Sequence, residues 1–465
     1  MAGHEPVMKQ APEKPAPLVL PGSEALFTDL YELRMVAAYH ALGMADEAVF
    51  SLFVRRLPPG RNVLLACGVE DFLDALGGLR FGPDALAYLA SLGGFPPGFL
   101  DWLAGFRFLG DVFALPEGTP VFAEEPLLEI VAPIAEAQLV ETLVMAMVGS
   151  QTLFASKALR IVTAAAGRAV VDFGSRRAQG LDAAVAGARA FSVAGVAATS
   201  NLLAGARYGI PVAGTMAHSF VQAFPSEAEA FRAYARLYPE TILLVDTYDT
   251  PRGVRRVVDL AAELGPAFMV SGVRLDSGDL GALAREARAI LDGAGLQRVR
   301  IFASGGLDEH RITALLASGA PIDAFGVGTE MSVSADAPAF DIAYKLAAYA
   351  GEGRTKLSPG KRILPGRKQV FRRWGDDGKA VEDVIAAASE TLPGRPMLRC
   401  LMHRGARVAP RPALDVTRAE AACAIAALPA RLAALASADP PYPVRISETL
   451  AQAERELRQR MRDAG

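Results

Sequence analysis

Five histidines occur in the 465-residue chain. One of them, His218, lies in Val212-Ala213-Gly214-Thr215-Met216-Ala217-His218-Ser219, where small neighbours leave room for a ligand beside a titratable ring. His4 falls in a proline-rich tail, and His40, His310 and His403 fall in stretches that read as ordinary helix or turn. His218 is therefore where chemistry on a bound ligand is expected. The competing reading is an imidazole bonded to a nearby carbonyl inside a tight turn, and this segment alone does not decide between them.

A second set of reactive residues recurs at regular intervals. Apolar runs at 242–245, 268–273, 299–303 and 323–327 lead into Asp246-Thr247-Tyr248-Asp249, Arg274-Leu275-Asp276-Ser277-Gly278-Asp279, Ser304-Gly305-Gly306 and Gly326-Val327-Gly328-Thr329. Amphipathic segments near 253–264, 280–292 and 308–318 separate the runs, which predicts strand-loop-helix units with parallel, buried strands. Their carboxyl ends then share one rim, where ligands bind in β/α barrels and doubly wound sheets.

The types of residue on that rim favour anions. Gly305, Gly306, Gly326 and Gly328 let backbone N–H groups approach a phosphate, and the helix expected after Ser304 adds its positive end; tight turns alone also explain these glycines. Phe173-Gly174-Ser175-Arg176-Arg177 follows the apolar run 168–172 and supplies guanidinium forks suited to carboxylate or phosphate oxygens. Arg176 is the candidate of that pair, since Arg177 reads equally well as a surface ion pair. Arg274 faces an anionic substrate or makes a simple salt bridge. Asp246, Asp249, Asp276 and Asp279 crowd the same edge, which suits Mg2+ with phosphate oxygens, although capping explains Asp279 equally well.

The rest of the chain bounds the answer. A net charge of −3, from 48 Lys and Arg against 51 Asp and Glu spread along the sequence, provides no basic face for nucleic acid. The longest uncharged stretches contain Ser, Asn, Gln, His or Pro and make poor membrane spans. Cys67, Cys400 and Cys423 show no metal or redox spacing, which fits a reducing cytoplasm. The length predicts more than one domain. The expected division is a disordered tail over 1–22, an α+β sandwich over 23–145, the β/α barrel with the active site over 146–355, and a segment returning to the sandwich over 356–465. Within these, a helix begins near Thr28 and Asp29, residues 48–70 read as a hairpin around Pro58-Pro59-Gly60, and 369–374 with a following apolar run read as a second hairpin expected to pair with the N-terminal sheet.

An ordered set of motifs resembles nicotinate phosphoribosyltransferases of NAD salvage: TDLYEL at 28–33, EPLLEI at 125–130, AEAQLVETL at 135–143, QTLFASKA at 151–158, FGSRRAQG at 173–180, TSNLLAG at 199–205, GTMAHSF at 214–220, VRLDSGDL at 273–280, FGVGTE at 325–330 and LPGRKQV at 364–370. The resemblance implies an irregular β/α barrel beside an open-faced α+β sandwich built from both ends of the chain. It implies a reaction joining nicotinate to 5-phosphoribosyl 1-diphosphate, with ATP as co-substrate, and a homodimer whose sites lie near the subunit boundary. His218 matches the transiently phosphorylated histidine; Tyr31, Thr215 and Arg274 match nicotinate-contacting positions; Thr329 matches a position holding the ribose diphosphate. Tyr31 then acts in its own or the neighbouring subunit. Nicotinamide phosphoribosyltransferase, or a non-catalytic phosphate-metabolite binding protein on the same fold, remains the alternative; a lysine for Schiff-base chemistry is absent from the four loop ends.

Overall fold

The computed structural model describes residues 24–358 and 362–463; the tail expected over 1–22 lies outside them. At the centre is a six-stranded, wholly parallel sheet ordered Ala198–Thr199, Ala169–Asp172, Ala324–Val327, Arg300–Ala303, Gly272–Leu275, Ile242–Leu244. Its Leu243, Val273, Ile301, Phe325 and Val327 side chains are fully buried. The helices Thr250–Leu264, Leu280–Gly293 and Glu309–Ala317 each follow a strand. Asp249, Asp279 and Asp308 start them, each accepting from the N–H three residues ahead, as helix N-caps do. The α/β class and the repeated strand-helix order are thus as expected.

Three local expectations differ from the structure. The run 268–273 begins in a turn, because Gly265–Ala267 is a single 3-10 turn and Phe268 N–H donates to Gly265. The strand therefore starts at Gly272, and Arg274 belongs to it rather than to the loop beyond. Residues 48–70 make no hairpin: Glu47–Arg56 is flanked by Asp341–Tyr349 on one edge and Pro126–Pro133 on the other, while Leu64–Leu65 pairs with Pro120–Val121. A strand buried this thoroughly needs partners on both edges, and only distant segments supply them. The hairpin of Lys368–Trp374 with Ala380–Ala387 does form, but in its own sheet with Arg395–Pro396 and Val444–Ile446.

The second large sheet is antiparallel throughout and draws on both ends of the chain, since Arg399–His403 pairs with Asp111–Ala114. Strand Asp341–Tyr349, which the sequence leaves with the barrel segment, also lies in this sheet. Helix Glu141–Ala164 packs against elements of both halves, including Leu64–Leu65, Leu181–Val193 and Glu309–Ala317. Lys368 is spent on structure: its Nζ is 2.9 Å from Glu129 and donates to the Gly366 carbonyl. Lys356 is exposed, and Lys361 lies outside the described residues. No helix among the described residues is long and apolar enough to cross a membrane.

Candidate active site

His218 opens the short helix His218–Gln222, which Val221 anchors in the barrel core. Its Nδ1 lies 3.1 Å from Thr247 Oγ1, and its Nε2 lies 3.9 Å from Asp276 Oδ2. The ring's partner is therefore a hydroxyl on the next rim loop, not a carbonyl within its own turn. With 39% of the side chain exposed, the ring is open to a reactant.

Arg274 approaches the same carboxylate from the sheet. Its guanidinium bonds to Thr215 Oγ1 through Nη1, stands 3.8 Å from Asp276 Oδ1 through Nη2, and lies 5.8 Å from the Phe173 ring centroid. Burial pulls the guanidinium below its ordinary value; Asp276 and Asp246 oppose this, and Arg176 adds to it. Arg274 Nε is buried without a partner. A desolvated, incompletely paired cation gains most from an incoming anion.

Asp276 links the parts. Its Oδ1 accepts from Ser304 at 2.6 Å, and its backbone N–H donates to Asp246 Oδ2 at 2.9 Å. His218, Arg274, Thr215, Asp276 and Ser304 are thus brought together. Asp249 and Asp279 are committed to helix caps, and no group of three or more His, Cys, Asp or Glu among the described residues is placed to hold a metal.

The glycines have packing reasons as well. A Cβ at Gly305 would sit 1.8 Å from the Asp276 carbonyl oxygen, at a φ of +91°. At Gly326 it would meet the Phe173 ring at 2.7 Å, and at Gly306, with φ +56°, Arg311 Nη1 at 2.9 Å. Of the four, only Gly328 would take a Cβ without a clash, in ordinary contact with the Phe173 carbonyl oxygen at 3.6 Å. At the start of the helix after Ser304, the Arg311 N–H is taken by the Asp308 cap. The N–H groups of Gly305 and Gly306, which have no acceptor among the described residues, remain for a ligand. Replacing Gly305 by alanine is expected to cost more than about 2 kcal/mol from the clash and the left-handed backbone. A lowered melting temperature together with a raised KM for a phosphorylated substrate would report it.

Arg176 and Thr329 are exposed at the rim, Arg176 in the 3-10 turn Ser175–Arg177 and Thr329 at the head of Thr329–Ser332. Tyr31 stands apart. It is 51% exposed in a depression lined by Asp29, Arg55, Glu141, Thr142 and Lys345 among others, none of them rim residues. Three contributors escape sequence reasoning: Thr247 holds the imidazole, Phe173 lies under Arg274, and Tyr234 donates to the Thr215 carbonyl at 3.1 Å. The first two adjoin strand ends and carry that positional signal; Tyr234 lies on helix Glu227–Leu237 and carries none.

Comparison with known proteins follows the same outline. Residues 26–149 match the nicotinate phosphoribosyltransferase N-terminal domain, and residues 168–358 match the nicotinate phosphoribosyltransferase family. Nicotinate phosphoribosyltransferase pncB2 of Mycobacterium tuberculosis is 56% identical over 427 residues, 92% of each chain. The Bacillus subtilis nicotinate phosphoribosyltransferase is 41% identical over 81% of this chain and 79% of its own. The crystal structure of human nicotinic acid phosphoribosyltransferase superposes with a TM-score of 0.83 at 30% identity, covering 92% of this chain and 99% of that one.

Proposed function

The chain belongs to the nicotinate phosphoribosyltransferase family, and on that premise we propose that it makes nicotinate mononucleotide and diphosphate from nicotinate and 5-phosphoribosyl 1-diphosphate, with ATP hydrolysis to ADP and phosphate coupled through phosphorylation of His218. One observation carries this reading: the imidazole of His218 and the guanidinium of Arg274 flank the same carboxylate, Asp276, at 3.9 and 3.8 Å. A phosphoryl acceptor and an acid-selecting cation therefore border one cleft.

The glycosyl step needs no protein nucleophile. Diphosphate leaves, the ribose carbon gains oxocarbenium character, and the pyridine nitrogen attacks; the protein's part is positioning and charge. Arg274 and Thr215 hold the nicotinate carboxylate. Arg176, Thr329 and the free N–H groups of Gly305 and Gly306 hold phosphate oxygens, and Ser304 and Asp276 orient the ribose. Phosphorylation of His218 adds negative charge beside Asp276 and Arg274, so it changes the field that the substrates meet.

Mg2+ fits the rim in a limited way. Asp246 Oδ1 is buried without a partner, and Asp276 Oδ2 faces the cleft. Two carboxylates suit an ion that takes its remaining ligands from water and phosphate. Asp246 and Asp276 would hold it, and it would neutralise charge on the departing diphosphate. Tyr31 completes the pyridine site from a second copy in a homodimer, which the exposed Phe27, Leu30, Tyr31 and Met35 at one end of helix Leu30–Ala41 support.

The test is product identity. Purified protein is offered the ribose diphosphate with nicotinate, nicotinamide or quinolinate, with and without ATP. Nicotinate mononucleotide is the expected product, in greater yield with ATP. Preference for nicotinamide would establish the amide-using alternative, and no mononucleotide at all would leave a binding protein.

A further inference from the structure

A buried lysine behind the rim takes no part in the chemistry above. Lys157, on helix Glu141–Ala164, is 2% exposed. Its Nζ donates to Glu309 Oε2 at 2.6 Å and lies 2.9 Å from Asp336 Oδ1. Glu309 opens the helix that follows Ser304-Gly305-Gly306, and Asp336 lies shortly after Thr329–Ser332, the helix that follows Gly328. Each carboxylate also has an arginine of its own. Arg160 Nε is 2.8 Å from Glu309 Oε1, and Arg61 Nη2 is 3.0 Å from Asp336 Oδ1 and bonds to Ser334 Oγ at 2.6 Å. Among the described residues, Lys157 is the side chain that joins the two carboxylates.

We propose that Lys157 is a positioning residue that sets the spacing of the two glycine loops, and thereby the fit of the ribose diphosphate. The inference rests on the transferase reading. The donor carries a phosphate and a diphosphate on a compact ring, so its anion seats must stand at a fixed separation, and a shift near 1 Å is costly. A desolvated ion cluster contributes little net stability but imposes one geometry on the segments it ties together. Arg274 and Thr215 are not part of this cluster, so the nicotinate seat is independent of it.

Lys157→Met cuts the tie yet leaves each carboxylate with its arginine. The expected result is a KM for the ribose diphosphate raised about tenfold, with kcat and the KM for nicotinate within about twofold, and a parallel loss of affinity for inorganic diphosphate in calorimetry. Unchanged donor KM, or equal losses in every parameter, overturns the proposal. Should Lys157→Met fail to fold, Asp336→Asn, at a partly exposed carboxylate, decides by the same split. If the wild type forms no mononucleotide, the transferase reading falls, while the diphosphate affinities of wild type and variant still test the positioning role.

Discussion

His218→Ala is expected to take up no label from γ-labelled ATP and to lose the stimulation of mononucleotide formation by ATP, while retaining a slow ATP-independent transfer. The residual activity follows from the proposed chemistry, in which the glycosyl step uses no protein nucleophile and Arg274, Thr215 and the glycine loops make the substrate contacts. The loss of label follows from geometry, since the ring of His218 lies 3.1 Å from Thr247 Oγ1 and 3.9 Å from Asp276 on the rim. With 39% of the side chain exposed, truncation costs about 0.5–1 kcal/mol of stability, so the variant remains folded. Label in the alanine variant equal to that in the wild type would remove the phosphohistidine from the mechanism.

Much of this site was legible because parallel strands confine functional residues to their carboxyl ends. Short apolar runs placed where Asp246, Asp276, Ser304 and Thr329 emerge, and amphipathic segments marked the helices between them; of the capping aspartates 249, 279 and 308, only Asp279 reads as a cap in the sequence. What the sequence hid depends on distant contacts. Glu47–Arg56 looked like half of a hairpin because its real partners lie 73 to 301 residues away. Gly305 and Gly326 looked like ligand-facing positions because a glycine required by a neighbouring loop or ring is indistinguishable, in one dimension, from a glycine required by a phosphate. Lys157 stands in the sequence only as one residue of QTLFASKA, and the fold brings Glu309 and Asp336 to it across more than 150 residues.

Arg274→Gln tests the choice of an acid over an amide and carries the largest expected change in specificity. The guanidinium is 13% exposed, burial pulls it below its ordinary value, and its Nε has no partner. Asp276 at 3.8 Å balances the charge only in part, because that carboxylate also accepts from Ser304. A nicotinate carboxylate arriving about 4 Å from the guanidinium gains on the order of 4 kcal/mol at an effective dielectric near 20, less what its own desolvation costs. The neutral amide of nicotinamide gains only an ordinary hydrogen bond, about 1 kcal/mol. Glutamine keeps a donor for Thr215 Oγ1 and removes the charge. The expected fall in kcat/KM is therefore about 10²-fold for nicotinate and under about tenfold for nicotinamide, with the melting temperature nearly unchanged. A variant that still preferred the acid by the wild-type ratio would show that another cation reads the carboxylate, and Arg176, exposed on the adjacent turn and near enough to act on Arg274, is the first to substitute next.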